Sequence, residues 1–486
     1  MVEWTPRVKG KPPGSPILGC GREGSAGSAV GTAEGPYRSS TTYPEMVTVS
    51  GSTEGFCVAD VSRALVLAVM KVIVGGTAPR HPYTPAPMSM HPRAEGRTAL
   101  LAVALVLALL PVSAGCAKRR PVQSDADLLS ERAALQQALA ENAQGAFVAL
   151  AERLHERRKS DPGATLDVLV LSGGGDWGAF GTGLLVGWSE AADPKARMPR
   201  FDVVSGVSTG ALIAPFAFLG TKEDLAQVDG LYRNPKPDWI RTRGLLFFLP
   251  DHASFAEVPG LEREVDRFIT EDLARRVADE SRAGRILLIN TTNLDDGSAQ
   301  PFRWGRAAQA AVETHDMQRL RNILLASSGI PGAFPPREID GSLYVDGAVT
   351  SNIIYGGAVR RQDSFGATWK RRYPGEPVPT LRYWVVLNNY AAAQPQTVQP
   401  NWPSVIQRSL EVAVRASTTI ALRHLYAMAE VTRLRGDGEV EVRWAAVPNS
   451  WKPPEEGIFR EATMRSLSDL GRTMGADPGT WQSESP

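Results

Sequence analysis

The chain has 486 residues, enough for two or three domains or for one large α/β domain with extensions. Its 53 Lys and Arg residues nearly balance its 52 Asp and Glu residues, and a net charge of +1 gives no field that favours a nucleic-acid partner. The three cysteines, Cys20, Cys57 and Cys116, lie far apart without metal-ligand spacing. Composition therefore indicates neither nucleic-acid binding nor a zinc site or disulfide framework.

The first 87 residues are rich in glycine, serine, proline and threonine and show no sustained apolar period. Such a stretch cannot bury enough apolar surface to offset the entropy lost on ordering. We therefore predict that residues 1–87 are disordered or are a mis-assigned N-terminal extension.

A signal segment follows at residues 88–116. Two arginines precede a continuous apolar run at 99–110, and small residues then lead to Cys116. This order is typical of a secretory signal peptide and not of a transmembrane helix. Since a signal peptide works from the N-terminus, we expect translation to begin at Met88 or Met90.

The end of this segment, Ser-Ala-Gly-Cys, resembles the bacterial lipoprotein signal, in which the cysteine becomes the lipidated first residue. Ser113 stands where that signal usually has leucine or another aliphatic residue. The resemblance implies that Cys116 is lipidated and that the protein is anchored in the cell envelope, at the outer membrane of a Gram-negative bacterium. A plain secretory signal would instead give a secreted or periplasmic protein.

The rest of the chain alternates between strand and helix patterns. Residues 117–160 predict a tether and a helix, residues 161–475 the main domain, and residues 476–486 a tail. Apolar runs predict buried strands, and apolar spacing of three and four residues predicts helices. The strands are expected at 166–171, 201–205, 285–290, 342–346, 381–387 and 439–447, and the helices at 179–188, 261–277, 320–328, 403–434 and 461–471. We predict a three-layer α/β/α domain with a mainly parallel central sheet and a site at the carboxyl ends of its strands.

A glycine-rich loop, SGGGDWG, follows the first predicted strand. A strand, a glycine loop and a helix in this order aim backbone N–H groups at an anion. Gly173, Gly175 and Gly178 also satisfy the G-x-G-x-x-G pattern of dinucleotide-binding domains. That pattern expects an acidic residue at the end of the second strand, whereas Asp202 lies near its beginning. We therefore expect no nucleotide.

Residues 206–210 read GVSTG, directly after the second apolar run. A serine on a sharp strand-to-helix turn has a strained backbone, and only glycine fits two residues to either side, here Gly206 and Gly210. The turn also places the hydroxyl near the positive end of the next helix. This makes Ser208 the candidate nucleophile, although small residues in such a loop can serve only to let the chain turn.

A third motif, Asp346-Gly347, ends the short strand predicted at 342–346. Taken alone, an Asp-Gly pair usually signals a turn. Its position after the glycine loop and the serine turn matches the motif order of a known family, and that resemblance implies that Asp346 is the general base.

These three motifs, in this order, resemble those of the patatin-like phospholipase family. There the glycine loop supplies the oxyanion hole, the G-x-S-x-G turn the nucleophile and the Asp-Gly pair the base. Asn352 also matches the family's asparagine, while Trp177 stands where Lys or Arg is commonest, and Ala348 and Ile354 depart from the usual glycine and proline. By this resemblance the oxyanion hole is formed at Gly173, Gly174, Gly175, Asp176 and Gly178, with Gly206, Gly210 and Gly347 as supporting motif residues.

The resemblance implies a serine lipid acyl hydrolase, of phospholipase A or esterase type, that uses a Ser208–Asp346 dyad and forms an acyl-enzyme. Its substrate would be a lipid or phospholipid ester, with no cofactor or metal. A Ser-His-Asp triad is the alternative mechanism, but the sole histidine after Asp346 is His424, within a regular helix pattern. The alternative function is a catalytically silent envelope lipoprotein that binds acyl chains or scaffolds partners.

One apolar cluster has two interpretations. Residues 244–250 read GLLFFLP and could be part of the core, or a lid or interfacial surface that meets lipid.

Overall fold

The computed structural model describes residues 120–193, 196–244, 252–356, 362 and 364–486. The predicted extension, the signal segment with Cys116 and residues 245–250 of the apolar cluster lie outside this part of the chain.

Eight of the ten strands in the described part of the chain form one sheet. In chain order the strands are β1 (Leu166–Leu171), β2 (Val203–Val207), β3 (Arg241–Thr242), β4 (Ala256–Glu257), β5 (Ile286–Asn293), β6 (Ala299–Arg303), β7 (Arg337–Ile339), β8 (Ser342–Asp346), β9 (Leu381–Leu387) and β10 (Val440–Ala446). The sheet has the order β10-β9-β1-β2-β5-β8-β7, with β6 paired to β5, and β3 and β4 form a separate hairpin. The five strands from β10 to β5 are parallel, and β6, β7 and β8 are antiparallel additions. The prediction of a mainly parallel sheet is confirmed.

Helices cover both faces of the sheet. They are α1 (Asp125–Ser160), α2 (Gly178–Ser189), α3 (Thr209–Leu219), α4 (Lys222–Arg233), α5 (Pro259–Phe268), α6 (Glu271–Arg282), α7 (Trp304–Thr314), α8 (Gln318–Ser327), α9 (Phe365–Arg372), α10 (Trp402–Leu434) and α11 (Glu461–Ala476).

Two hydrophobic cores result from the alternation of side chains along each strand. Leu169 and Leu171 of β1 face a core built with α2 to α8 and α11. Val168 and Val170 face a second core built with α1, α9 and α10. Because every β1 side chain is buried, its residues are apolar on both faces except Asp167, whose Oδ1 accepts from Nε1 of Trp384 at 2.8 Å.

Several predicted elements differ in extent: β2 lies two residues further along the chain than predicted, and α11 continues five residues past its predicted end at 471. The single helix predicted at 261–277 is wrong, since the chain forms α5 and α6 with a break at Ile269. The hydroxyl of Thr270 caps α6 by accepting from the N–H of Leu273, at 3.2 Å, and so starts a new helix. Strand β5 also runs past its predicted end, because its last three residues pair with β8.

The pairing of β5 brings two distant segments together. Along one edge of β5, Asn290 is paired with Val207, the last residue of β2, and Thr291 with Asp346, the last residue of β8. These two strands run towards each other, so the residue after β2 meets the end of β8. This is the point where Ser208 and Asp346 lie.

No helix in the described part of the chain combines the length and apolarity needed to cross a bilayer.

Candidate active site

Ser208 lies on the turn between β2 and α3 with a strained backbone. Its φ is 53° and its ψ is −122°, in a region that non-glycine residues rarely occupy. The neighbouring backbone leaves no room for side chains at the flanking positions: a Cβ on Gly206 would lie 2.3 Å from the carbonyl oxygen of Gly210. A Cβ on Gly210 would lie 2.4 Å from that of Leu171. The tight turn predicted from the sequence is therefore present.

Two serines hold this strained peptide in place. The N–H of Ser208 donates to Oγ of Ser327 at 2.9 Å, and Oγ of Ser327 donates to the carbonyl oxygen of Asn290 at 2.6 Å. The hydroxyl of Ser328 donates to the carbonyl oxygen of Ser208 at 3.3 Å. Since Ser327 is fully buried, these bonds fix the turn against β5.

Asp346 is buried, and its partner on β5 directly follows the residue paired with the end of β2, which places the Asp346 carboxyl next to Ser208. Its Oδ1 accepts from the N–H of Ala348 at 2.8 Å. Burial raises the pKa of this carboxyl to about 7, and the N–H of Ala348 and the hydroxyl of Ser208 oppose the shift. The supporting glycine, Gly347, is required sterically, because a Cβ there would lie 2.4 Å from the carbonyl oxygen of Asn290.

The glycine loop lies directly beside Ser208. A Cβ on Gly173 would be 3.0 Å from Cβ of Ser208. The N–H of Gly173 is engaged, since it donates to Oδ1 of Asn352 at 3.0 Å, and the N–H of Gly178 donates to the carbonyl of Gly175.

Asp176 differs from its glycine neighbours. Its carboxylate is buried and accepts from the N–H of Phe459 at 2.8 Å. Burial is the main reason that its pKa is raised. Among the described residues, the N–H groups of Gly174 and Gly175 have no acceptor. Of the five residues predicted to form the oxyanion hole, Gly174 and Gly175 therefore have N–H groups that remain free to donate.

Two asparagines hold the loop from either side. Asn352 links Gly173 to α10 by donating from Nδ2 to Oγ1 of Thr418 at 2.9 Å. Asn388, immediately after β9, donates from Nδ2 to the carbonyl of Ser172 at 2.7 Å. A Cβ on Gly174 would lie 2.0 Å from the carbonyl oxygen of Asn388, so the loop packs too closely for any other residue there.

Trp177 is fixed by aromatic contacts. Its ring meets Tyr390 and Trp451 edge to face, with centroids 4.9 and 5.0 Å apart. Packing against these two rings therefore holds the Trp177 side chain, at a position where the family most often has Lys or Arg.

The structure disfavours both chemical alternatives. Nδ1 of His424 is hydrogen-bonded to the hydroxyl of Tyr355 at 2.6 Å, on an exposed part of α10, and not to Asp346. Asp202 forms ion pairs with Arg153 and Arg157 at the amino end of β2, far from a ribose expected at the glycine loop. Among the described residues, no group of three His, Cys, Asp or Glu side chains is placed to hold a metal ion.

Sequence reasoning missed the roles of Ser327, Ser328 and Asn388. Asn388 had a recognisable signal, because a polar residue directly after a buried parallel strand lies at the carboxyl edge, where sites form in such sheets. The two serines had none, since their contacts depend on how α8 packs against β5.

The arrangement defines an α/β/α protein with a serine–aspartate pair and free peptide N–H groups at the carboxyl edge of its sheet. Residues 169–359 match the family model of the patatin-like phospholipases, and this segment contains all three motifs. The crystal structure of VipD from Legionella pneumophila is similar over 66% of this chain and 68% of its own, with 10% identity and a TM-score of 0.30. Curated proteins give no significant match. Residues 169–359 therefore form a patatin-like phospholipase domain, of a family of hydrolases that act on lipid esters.

Proposed function

We propose that the protein is a serine lipid acyl hydrolase that uses Ser208 and Asp346 as its catalytic dyad. The observation that carries the proposal is that these two buried side chains meet at the ends of β2 and β8, beside the unpaired N–H groups of the glycine loop. A nucleophile, a base and oxyanion donors at one point are what acyl transfer requires.

In the proposed mechanism, Oγ of Ser208 attacks the ester carbonyl while Asp346 accepts the hydroxyl proton. The negative oxygen of the tetrahedral intermediate accepts hydrogen bonds from the N–H groups of Gly174 and Gly175. The intermediate expels the alcohol, which takes the proton from Asp346, and leaves an acyl-enzyme. Water then attacks the acyl group, with Asp346 again as base, and releases the fatty acid and free Ser208.

The environment of Asp346 suits this role. An aspartate at its ordinary pKa is a weak base for a serine hydroxyl, and burial brings the pKa of Asp346 to about 7, close to neutral pH. Each oxyanion donor typically contributes about 3 kcal/mol to transition-state stabilisation.

The alternative is a catalytically silent lipoprotein that binds acyl chains or scaffolds partners. A fluorophosphonate probe distinguishes the two, because it reacts only with an activated serine. We expect covalent labelling at Ser208, located by peptide mass spectrometry. A folded protein that stays unlabelled would favour the silent alternative.

We also propose that the protein is anchored in the cell envelope by a lipid on Cys116. The support is the signal-like sequence that ends at this cysteine. We expect the mature wild-type protein to begin at Cys116, to carry the added mass of a lipid anchor and to fractionate with membranes. The Cys116→Ser variant should fractionate with soluble protein. An intact peptide spanning residues 60–116 in the mature protein would contradict this proposal.

The longest helix of the main domain presents two apolar faces. One face of α10 is buried in the second core through Thr418, Leu422, Leu425 and Ala429. The opposite face is exposed and apolar along the helix, at Trp402, Val405, Ile406, Leu410, Val412 and Ile420. Positions three, four and eight residues apart lie on one side of a helix, so these side chains form a continuous stripe.

This stripe extends past the candidate active site. Thr418 of α10 contacts Asn352 and thereby the glycine loop. None of the residues 402–417 is buried, and at 1.5 Å per residue they extend roughly 24 Å beyond that contact. Because α10 connects the carboxyl end of β9 to the amino end of β10, this half projects on the side of the sheet where Ser208 lies. We propose that the stripe contacts the lipid surface from which the substrate is drawn.

The double variant Trp402→Ser/Ile406→Ser tests this contact. We expect hydrolysis of vesicle lipid to fall roughly tenfold or more, because two large apolar side chains no longer insert. Hydrolysis of a soluble short-chain ester should be unchanged. The matched control is Leu129→Ser, because Leu129 is about as exposed as Ile406, at 64% and 60%. This variant should keep both activities. If the double variant instead converts a dimer to a monomer and keeps vesicle activity, the stripe binds a second copy of the chain.

A further inference from the structure

A basic cavity lies at the opposite edge of the sheet from Ser208. Its volume is about 300 Å³, and it is lined by residues of α1, the end of α6, the start of β5 and the start of α7. Its lining residue Ile286 and Thr291 beside the dyad are five positions apart in β5, a distance of roughly 16 Å. Four arginines line it, and no carboxylate does so within the described chain: Arg282, Arg285, Arg303 and Arg306.

Two of these arginines have only neutral acceptors. Arg306 donates to the side-chain oxygen of Asn142 at 2.9 Å, and Arg303 donates to the carbonyl oxygen of the same residue at 3.4 Å. Neither forms an ion pair with a described carboxylate. Burial together with the nearby charge of Arg306 lowers the pKa of Arg303 to about 10. The adjacent positive charges of Arg303 and Arg306 thus have no negative partner among the described residues. A bound anion would supply one.

Arg285 brings a third cation, and it is almost completely buried. Its Nε donates to the carbonyl of Phe201 at 2.7 Å and its Nη1 to Glu280 at 3.0 Å. Glu280 is shared with Arg200, so one carboxylate serves two guanidinium groups. Nη2 of Arg285 has no acceptor among the described residues. This group is therefore a donor that water or a ligand in the cavity can satisfy.

The start of α7 adds backbone donors to the same cavity. Helix α7 has neither a side-chain cap nor an acidic residue in its first turn, which leaves its first N–H groups unpaired. Gly305 in this turn lines the cavity and lies against Ser281, whose buried Oγ also lacks a partner in the described structure. A helix N-terminus and arginines together match the charge and hydrogen-bonding capacity of a phosphate group.

We propose that this cavity binds a phosphate group, either as free inorganic phosphate or as part of an anionic lipid headgroup. The exposed Arg306, the partly buried Arg303 and the buried Arg285 would donate to its oxygens, together with the N–H groups at the start of α7. The site is separate from the dyad and does not depend on the proposed hydrolase function.

The test compares the purified mature protein with the double variant Arg303→Gln/Arg306→Gln. Binding is measured by calorimetry and by the rise in Tm with inorganic phosphate at constant ionic strength. We expect phosphate to stabilise the wild type and its Kd to rise roughly tenfold or more in the variant, because two charge-assisted contacts are lost. The control Arg275→Gln/Arg433→Gln removes two exposed, carboxylate-paired arginines and should bind as the wild type does.

Circular dichroism verifies that each variant folds. If the double variant does not fold, the single variant Arg306→Gln at the exposed guanidinium gives the same comparison. Equal phosphate binding by wild type and variant, or no stabilisation of the wild type beyond that of chloride, overturns the proposal.

A second arm identifies the source of the phosphate group. Vesicles of phosphatidylcholine are compared with vesicles containing phosphatidylglycerol, with the stripe variant Trp402→Ser/Ile406→Ser as background. If Arg303→Gln/Arg306→Gln weakens binding only to the phosphatidylglycerol vesicles, the ligand is a lipid headgroup. If it affects inorganic phosphate alone, the ligand is a soluble anion.

Discussion

Replacing Ser208 by alanine is expected to lower kcat/KM for ester hydrolysis by at least about 10³-fold. The substitution removes the nucleophile, so only the oxyanion donors and binding would remain to accelerate the reaction. The measurement is hydrolysis of a soluble short-chain ester and of vesicle lipid at pH 8, where Asp346 is ionised.

The control for this prediction is Ser160→Ala. Ser160 is exposed at the end of α1, and its loss should leave both rates unchanged. The positive φ at position 208 is as unfavourable for alanine as for serine, so the substitution adds no backbone strain. Circular dichroism should therefore show an intact fold. Hydrolysis at the wild-type rate by the folded Ser208→Ala protein would falsify the proposed mechanism.

Replacing Asp346 by asparagine is expected to abolish activity and yet to stabilise the protein at pH 8. Asparagine cannot accept the serine proton, so kcat/KM should fall by about 10³-fold or more. The free energy of unfolding should rise, because the ionised carboxylate that the substitution removes is unfavourable in its buried site. The Asp346→Asn substitution should therefore lower activity while it raises the free energy of unfolding.

The direction of the stability change follows from linkage. The pKa of Asp346 is about 7 in the folded protein and 3.8 in its ordinary state, so between these pH values the folded protein binds a proton that the unfolded chain has lost. The free energy of unfolding contributed by this group is thus largest below pH 4 and falls as pH rises to 7, by at most about 4 kcal/mol. Asparagine removes this dependence.

Urea unfolding at pH 5 and pH 8 measures the effect. Asp340→Asn is a control of opposite sign, because the hydrogen bond and charge of Arg319 lower the pKa of this exposed carboxyl. Loss of the Asp340 carboxylate should lower the free energy of unfolding by about 0–1 kcal/mol at both pH values. The Asp346 prediction fails if Asp346→Asn is less stable than wild type at pH 8.

The same titration sets the pH dependence of the reaction. Asp346 must be unprotonated to accept the serine proton, so kcat/KM should rise with pH to a plateau, with a midpoint near 7. A plateau already reached at pH 5 would mean that a different group is the base.

Much of the site was predictable because its motifs are local. Gly206 is required by a contact within one turn, with the carbonyl oxygen of Gly210, whereas Gly210 is required by the carbonyl oxygen of Leu171 in the neighbouring strand β1. Asp346 was predictable only through the order of the three motifs, since an Asp-Gly pair alone indicates no more than a turn. The oxyanion donors were predicted less well: the N–H of Gly173 is taken by Asn352, 179 residues away in the chain.

By itself, the sequence determined the fold class, the buried strands and the placement of a serine on a sharp turn, because these depend on residues close together in the chain. The tertiary structure alone decided that Asp346 has a pKa near 7, that Ser327 holds the strained peptide and that four arginines share one cavity. It also decided which apolar face of α10 is buried. The physical reason is that burial and charge compensation are summed over neighbours in space, which here come from strands and helices far apart in the chain.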